Sequence, residues 1–394
     1  MSETCKVVVV GGGYAGAMAA NRLTQRDDVA VTLVNPRPHF VERLRLHQLV
    51  GGSHKAVVDF QEILSPKVRL VVDTVERIDA AGRRVALKEG GALGYDYLIY
   101  AVGSGSADPS VPGAAEFSYP IASLEEAQLL RSAMDELPRA AAVVVVGGGP
   151  TGIEVASELA EQGRAVTMVC GGVLGPYLHP QGRRTVAKKL AALGVTVREG
   201  GDTRVTEVMS DAVRLAGGRE LPSALTIWTT GFGVPKLAME SGLRTDALGR
   251  LLTDETLTSV DDDRILAAGD SAAPSGMPLR MSCQAAARVG AHAADTVLNR
   301  LAGARPGPLD VGFFGQCLSL GRRDGVFQFA SKDDNAIRWH LRGSFAAKVK
   351  ETTCQKSVEH MAQEGRKPGS MTWRRDDERQ QRLRDASHAG KQAA

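Results

Sequence analysis

The sequence predicts an α/β fold in which one β-turn-α-β device is built twice. Three observations predict it. VVVVGGGYAG, from Val7 to Gly16, recurs as VVVVGGGPTG, from Val143 to Gly152, with Gly147 in register with Gly11. Each glycine loop separates a short β-branched run from a helix-forming stretch that keeps a small residue at the same place, Ala20 or Ala156. Each of those stretches leads into a second apolar run, VAVTLV at Val29–Val34 and AVTMV at Ala165–Val169. The 394 residues are too many for one small core and favour two or three domains.

The elements follow in order. Cys5–Val10 reads as a buried parallel strand, being short, β-branched and closed by glycine. Gly16–Arg26 reads as the helix after it. Gly11 permits the tight turn, Gly13 lets a pyrophosphate approach the backbone, and Gly16 lets helix and strand pack closely. The helix N-terminus then receives the negative charge. Ala141–Val146, the loop with Gly147, Gly149 and Gly152, and the helix Gly152–Gln162 repeat the device. Two cradles imply two dinucleotides, hence two Rossmann-like units. Tyr97–Gly103 and Asp263–Asp270 are further strands that end in turns. Ser123–Leu137 is a helix between the units, and Leu279–Ala294 is a helix capped by Ser282. Gly303–Pro308 (GARPGP) is a linker. Two strand-like runs follow, Gly312–Leu320 and Gly325–Ala330, then a polar, partly helical tail, highly charged after Gly365 and loosely ordered at its end.

Composition narrows the function. Lys and Arg number 48 against 45 Asp and Glu, which gives no general attraction to nucleic acid. The body to residue 330 is slightly acidic, and 331–394 is basic, with 14 cations against 9 anions. Five scattered cysteines form no CxxC and no metal-ligand pair, so no metal is expected, and they suit a reducing, cytoplasmic setting. MSETCK runs straight into a strand without signal-peptide or myristoylation features. No apolar run reaches the roughly 18–20 residues of a membrane span.

The order glycine loop, AVG (Ala101–Gly103), second glycine loop, TTG (Thr229–Gly231) and AGD (Ala268–Asp270) runs from residue 5 to about 300. It resembles the two-dinucleotide flavoprotein reductases of the pyridine nucleotide:disulfide oxidoreductase superfamily, with AVG in place of the usual ATG. Within it, the chain is most similar to the type II NADH dehydrogenase-like and ferroptosis-suppressor-like quinone reductases. The resemblance implies an FAD-binding domain in two parts, 1–118 and 237–308, an inserted NAD(P)-binding domain at 119–236, and a C-terminal α+β module at 309–394.

It also implies site residues. FAD would be held by Gly11, Gly13, Tyr14, Ala15, Gly16, Asn35, Arg43, Val75, Ala101, Gly103, Gly269, Asp270 and Cys283. Within that set, Asp270 serves the ribityl chain, Arg43 the pyrophosphate and Asn35 the adenosine ribose. NADH or NADPH would be held by Gly147, Gly149, Thr151, Gly152, Cys170 and Gly231. Cys170 stands where an acid would select NADH and a base NADPH, so the choice stays open. Two residues beyond the last glycine, the first copy has Met18 and the second Glu154. In the resembling enzymes that glutamate faces the nicotinamide and flavin and is the catalytic candidate; the plainer reading is charge stabilisation at a helix N-terminus. Arg37, His39, Arg43, Arg45 and His47 crowd one stretch. His47 is either a proton donor at the flavin edge or, on the favoured reading, part of a solvated basic face.

Residues 36–60 contain no cysteine, which excludes the thiol relay of disulfide reductases there. Cys283 is the one cysteine expected near the flavin, without a redox partner. Leu279–Ala294 resembles the AQxAxQ segment that lines the quinone site of type II NADH dehydrogenases. Cys283-Gln284 and Ala286 match, and Arg288 replaces the last Gln. Gln284 and Arg288 are therefore the acceptor-binding candidates. Arg288 suggests an acidic or phenolate-like acceptor, or an arginine facing solvent. The function implied is hydride transfer from NAD(P)H to FAD, then two electrons to a quinone-like acceptor. The alternatives are reduction of a small iron–sulfur protein through a basic surface with Arg280, Arg288, Arg322 and Arg323, reduction of a specialised metabolite, or a non-enzymatic NAD(P)H sensor. A homodimer is left open. Phe345–Met361 is either a core-docking helix or a weak amphipathic contact with the inner face of a membrane.

Overall fold

The computed structural model describes residues 4–392. Its centre is two parallel sheets of the same plan. The first has the order Ile265–Ala267, Tyr97–Tyr100, Cys5–Val10, Val29–Asn35, Val68–Val72. The second has the order Ser118–Pro120, Leu225–Trp228, Ala142–Val146, Ala165–Val169, Thr196–Arg198. Each carries a three-stranded antiparallel flap, at Val75–Gly94 in the first and Val205–Pro222 in the second. The repeat seen in ten residues is thus a repeat of whole units. Only the edge strands differ in origin: Ile265–Ala267 returns after the second unit, and Ser118–Pro120 enters before it.

Val7 and Val9 of the first central strand and Val143 and Val145 of the second are completely shielded, as strands covered on both faces require. The first loop helix, Tyr14–Leu23, is almost wholly buried and rich in alanine. It crosses the helix Cys283–Leu301 so closely that a Cβ on Gly290 would collide with the backbone of Ala15. Small residues here permit backbone approach, and so carry the start of helix Cys283–Leu301 to the glycine loop. Ser282 caps that helix by accepting from the Ala285 amide. Ser123 and Glu126 form a reciprocal capping box on Leu124–Glu136.

The C-terminal module differs from expectation in two ways. It has three antiparallel strands, Gly315–Ser319, Gly325–Ala330 and Ala336–Arg342. The third, AIRWHLR, alternates apolar and basic residues, but its dense positive charge masks the period of two. The charged chain after Gly365 is also docked, through residues 369–379, while the end of the tail at 393–394 lies outside the described residues. Buried Glu364 accepts from the amides of Gly369 and Met371, and Trp373 donates to Asp310. Arg379 pairs with Glu255 and donates to the Met277 carbonyl. These partners are distant in sequence, so a polar composition concealed a docked strap. The helix Gly343–Arg366 buries Ala346, Lys350, Cys354 and Met361 along one stripe, and thus docks on the core.

Candidate active site

The first glycine loop is built as an anion cradle. Gly13 is the N-cap of its helix, extended in backbone and without a side-chain cap, so the first amides of the helix lack side-chain acceptors. A Cβ on Gly13 would meet no protein atom, whereas one on Gly11 or Gly16 would collide with a carbonyl of the loop or its neighbour Ala101. Gly11 also has φ +99°. The loop opens into a cavity of about 360 Å³. Gly11, Gly13, Tyr14, Ala15, Asn35, Arg43, Val75, Ala101, Gly103, Gly269 and Asp270 all line it, and Gly16 lies beneath the loop.

Elsewhere on its lining Ser104 donates to Asp270 at 2.7 Å and receives Arg43 Nη1 at 3.0 Å, with Arg43 3.6 Å from the carboxylate. Ser104 has no motif to announce it; it follows the AVG turn. Asn35 is occupied by the backbone: its Oδ1 accepts from the Gly12 amide, and its Nδ2 donates to the Arg37 carbonyl. Asn35 therefore braces the loop through both side-chain polar atoms. An apolar cavity with free helix amides at one place and the Arg43–Asp270 pair at another fits FAD.

The second cradle has the same construction. Gly149 is an uncapped N-cap with open space where a Cβ would stand, followed by Pro150 at the first helical position. Gly147, at φ +122°, and Gly152 press on Thr229, whose hydroxyl donates to the Val146 carbonyl. Thr151 lies in the first turn, and Gly231, at φ +78°, lies beside Ala107. Cys170 packs against Gly148, and burial pushes its thiol up to about 12. The neighbouring strand Thr196–Arg198 brings two groups that no reading near Cys170 could find. Glu199 acts on Cys170 electrostatically and accepts from the Leu174 amide. Arg204 packs beside Gly171 and has no acidic partner among the described residues.

Glu154, 7 % exposed, stands where three parts of the chain meet. One oxygen lies 2.8 Å from Lys350 Nζ and accepts from the Ser319 amide at 2.9 Å; the other lies 3.5 Å from His47 Nδ1. Burial raises the carboxyl's pKa, but Lys350, His47 and the Ser319 amide outweigh burial and hold it below the usual range. Burial opposes the Lys350 charge in the same way, and Glu154 outweighs it, raising that pKa. Burial takes His47 down to about 4, so it is neutral at pH 7. The solvated basic face favoured for this stretch is therefore wrong: every residue of the helix Leu46–Val50 is buried. Arg45 is buried as well, between Glu42 and Glu351. Lys350 was missed. Its signal was a lysine on the buried stripe of an otherwise small and apolar helix face.

Gln284 and Arg288 come together on the first turns of helix Cys283–Leu301. The Phe314 amide approaches Gln284 Oε1 at 3.5 Å, and the Arg288 guanidinium lies 5.9 Å from the centre of the Phe314 ring. Ala286, between them, lines the FAD cavity. Cys283 does not line it, but lies close enough to Tyr14 to affect its ionisation. Nor is Cys283 isolated, as expected: Cys317 and Cys354 act on it electrostatically, brought by a strand and a helix of the C-terminal module. Burial raises all three thiols, so none is a ready thiolate.

Comparison with known proteins agrees with this geometry. The chain is 30 % identical over 352 residues to an NADH dehydrogenase-like protein of Mycobacterium tuberculosis, covering 82 % of this chain and 87 % of that one. It is 28 % identical to the type II NADH:quinone oxidoreductase of the same organism, covering 76 % and 74 %. Its fold matches NDH2 of Plasmodium falciparum, solved with NADH, at a TM-score of 0.76, 16 % identity and coverage of 92 % and 98 %. The model of the pyridine nucleotide-disulphide oxidoreductase family matches residues 5–290, and the chain belongs to that family.

Proposed function

We propose that this chain is an FAD-dependent NAD(P)H:quinone oxidoreductase. The overall reaction is NAD(P)H + H⁺ + quinone → NAD(P)⁺ + hydroquinone. FAD, when bound, supplies the two-electron relay between nicotinamide and acceptor. The first cradle holds it through the loop amides, Arg43 and Asp270, and the second cradle receives the nicotinamide nucleotide.

The observation that carries this reading is the buried Glu154–Lys350 pair, at the meeting of the nicotinamide unit and the C-terminal module, with no redox thiol pair in residues 36–60. Reduction of a quinone needs two protons as well as two electrons. Lys350 holds one in a site largely closed to water, and Glu154 balances its charge. Glu154 then accounts for more than helix-end stabilisation: it joins the donor side to the acceptor side. His47, neutral and 3.5 Å from Glu154 through Nδ1, is the further group through which a proton can be returned. Gln284 and Arg288 bind the acceptor.

An iron–sulfur protein as acceptor has less support. Arg280 is engaged by Asp334, and Arg322 lies beside Glu351 and Glu158, so neither is free for an acidic partner. No helix of the described residues is long and apolar enough to cross a membrane. A peripheral contact with the inner face of a membrane is supported by the exposed start of the helix Gly343–Arg366 together with the strand Ala336–Arg342 before it. Trp339 and Phe345 are 74 % and 62 % exposed, among Arg338, Arg342 and Lys348.

Stopped-flow reoxidation against an acceptor panel tests the main reading. The purified protein should be yellow, bleach anaerobically with NAD(P)H and recover its colour on addition of a soluble quinone. Bleaching without recovery by any quinone removes the acceptor assignment.

A further inference from the structure

Most arginines drawn into this molecule are matched by acids. Arg45 lies between Glu42 and Glu351, Arg22 pairs with Asp295 and Glu364, Arg379 with Glu255, and Arg280 with Asp334. Arg288 is different. Its Nε is excluded from solvent and has no hydrogen-bond partner among the described residues, a state it shares with the Nε of Arg183 and Arg198. Its Nη1 donates only to the carbonyl of Gln284, one turn earlier on its own helix. No carboxylate among the described residues offsets its burial, which pulls its pKa down. A partly buried cation without an anion is costly, and an anionic ligand would offset that cost.

The surroundings give the ligand a shape. The Arg288 guanidinium lies near the Phe314 ring, and a second guanidinium, Arg374 from the docked tail, lies 5.4 Å from the centre of the same ring. Arg374 donates to the Phe313 carbonyl and likewise has no acidic partner among the described residues. Phe314 is half-exposed, so this three-group cluster lies at the surface, on a helix whose Ala286, on another side, lines the FAD cavity. Gln284, on the same helix face as Arg288, accepts from Phe314 and keeps its amide nitrogen free to donate to a carbonyl.

We propose that Arg288 and Arg374, on Phe314, form an anion-recognising mouth, and that the acceptor is an acidic quinone, one that carries a carboxylate or an ionised ring hydroxyl. The inference rests on the quinone-reductase reading and narrows its substrate class. Phe314 offers a face to the quinone ring, Gln284 a donor to its carbonyl, and Arg288 a planar fork to the acid.

The test uses two matched pairs of soluble quinones. One pair is a quinone carboxylic acid and its methyl ester; the other is a ring-hydroxylated quinone and its methyl ether. Binding to the oxidised, FAD-loaded protein is measured by flavin fluorescence without NAD(P)H, and KM is measured in turnover. In at least one pair the acid should bind at least tenfold more tightly than its neutral partner, and the pair that shows the preference identifies which acid is recognised. R288Q should bring that ratio close to one, R374Q should lower it, and R288K should retain part of it. Equal binding within both pairs, or a preference that survives in both R288Q and R374Q, overturns the inference while leaving a quinone reductase. Failure of all four quinones to reoxidise the protein overturns the quinone reading itself, and the inference with it.

Discussion

Lys350 Nζ stands 2.8 Å from Glu154 Oε1, and the two residues come from parts of the chain nearly two hundred positions apart. Neither charge is reasonable alone at such depth, so the pair is a structural unit as well as a chemical one. K350M leaves a buried carboxylate without its cation and should cost about 3–5 kcal/mol. K350M/E154Q should recover much of that loss, measured by denaturant unfolding of the FAD-loaded protein. If proton delivery is the role of Lys350, flavin reoxidation by quinone should be slowed about 10²-fold or more in the double variant even where stability is restored. Reoxidation at the wild-type rate would leave the pair structural only.

His47 predicts a pH dependence of stability. Its folded pKa, about 4, is below its ordinary 6.5. The unfolded chain therefore binds a proton more readily between those values, and stability falls as pH falls from 6.5 towards 4. The loss should be about 2 kcal/mol at pH 5 relative to pH 7. Glu154 adds a loss in the same direction at lower pH, because its depressed folded pKa gives stability that disappears as pH falls through that value. H47Q should flatten the step between pH 7 and 5 while leaving the more acidic one. Equal slopes in the two proteins would remove His47 from the account.

The glycine loops separate fold from ligand. At Gly13 and Gly149 a Cβ would meet no described protein atom within 4 Å, and the backbone is extended. G13V should fold, with an unchanged far-ultraviolet spectrum, and purify without FAD. G149V should purify yellow but need at least tenfold more NAD(P)H for half-maximal bleaching. G16V, which would collide with the Gly11 carbonyl, should fail to accumulate as folded protein.

Arg204 bears on the nicotinamide. It is exposed, free of acidic partners among the described residues and beside Gly171, just past the strand end that selects the ribose substituent. R204A should lower kcat/KM for NADPH by about tenfold and change that for NADH much less, because a guanidinium–phosphate pair is charge-assisted. An equal effect on both donors would place Arg204 away from the 2′-phosphate.

Trp339 gives a direct reading of membrane contact. Anionic vesicles should shift its emission to shorter wavelength and carry the protein in sedimentation, with high salt weakening the effect. W339A/F345A should stay in solution and keep its turnover with soluble quinones. Absence of any vesicle-dependent change in the wild type would exclude this surface.

The sequence by itself determined the repeated units and the places where phosphates can approach. Glycines at fixed spacing after a β-branched strand have few other uses, because turn geometry and close backbone packing are local requirements. Asp270 and the helix capped by Ser282 were legible for the same reason. Tertiary structure decided the rest. Asn35 is occupied by its own loop, and His47 is buried instead of solvated. Arg204 reaches the loop after Cys170 from a neighbouring strand. Glu154 meets a lysine from the helix Gly343–Arg366, and Arg288 lies near Phe314 with no acid to match it among the described residues. Each of these depends on which distant elements share a surface. Burial and charge pairing are properties of that assembled surface, and no local spacing encodes them.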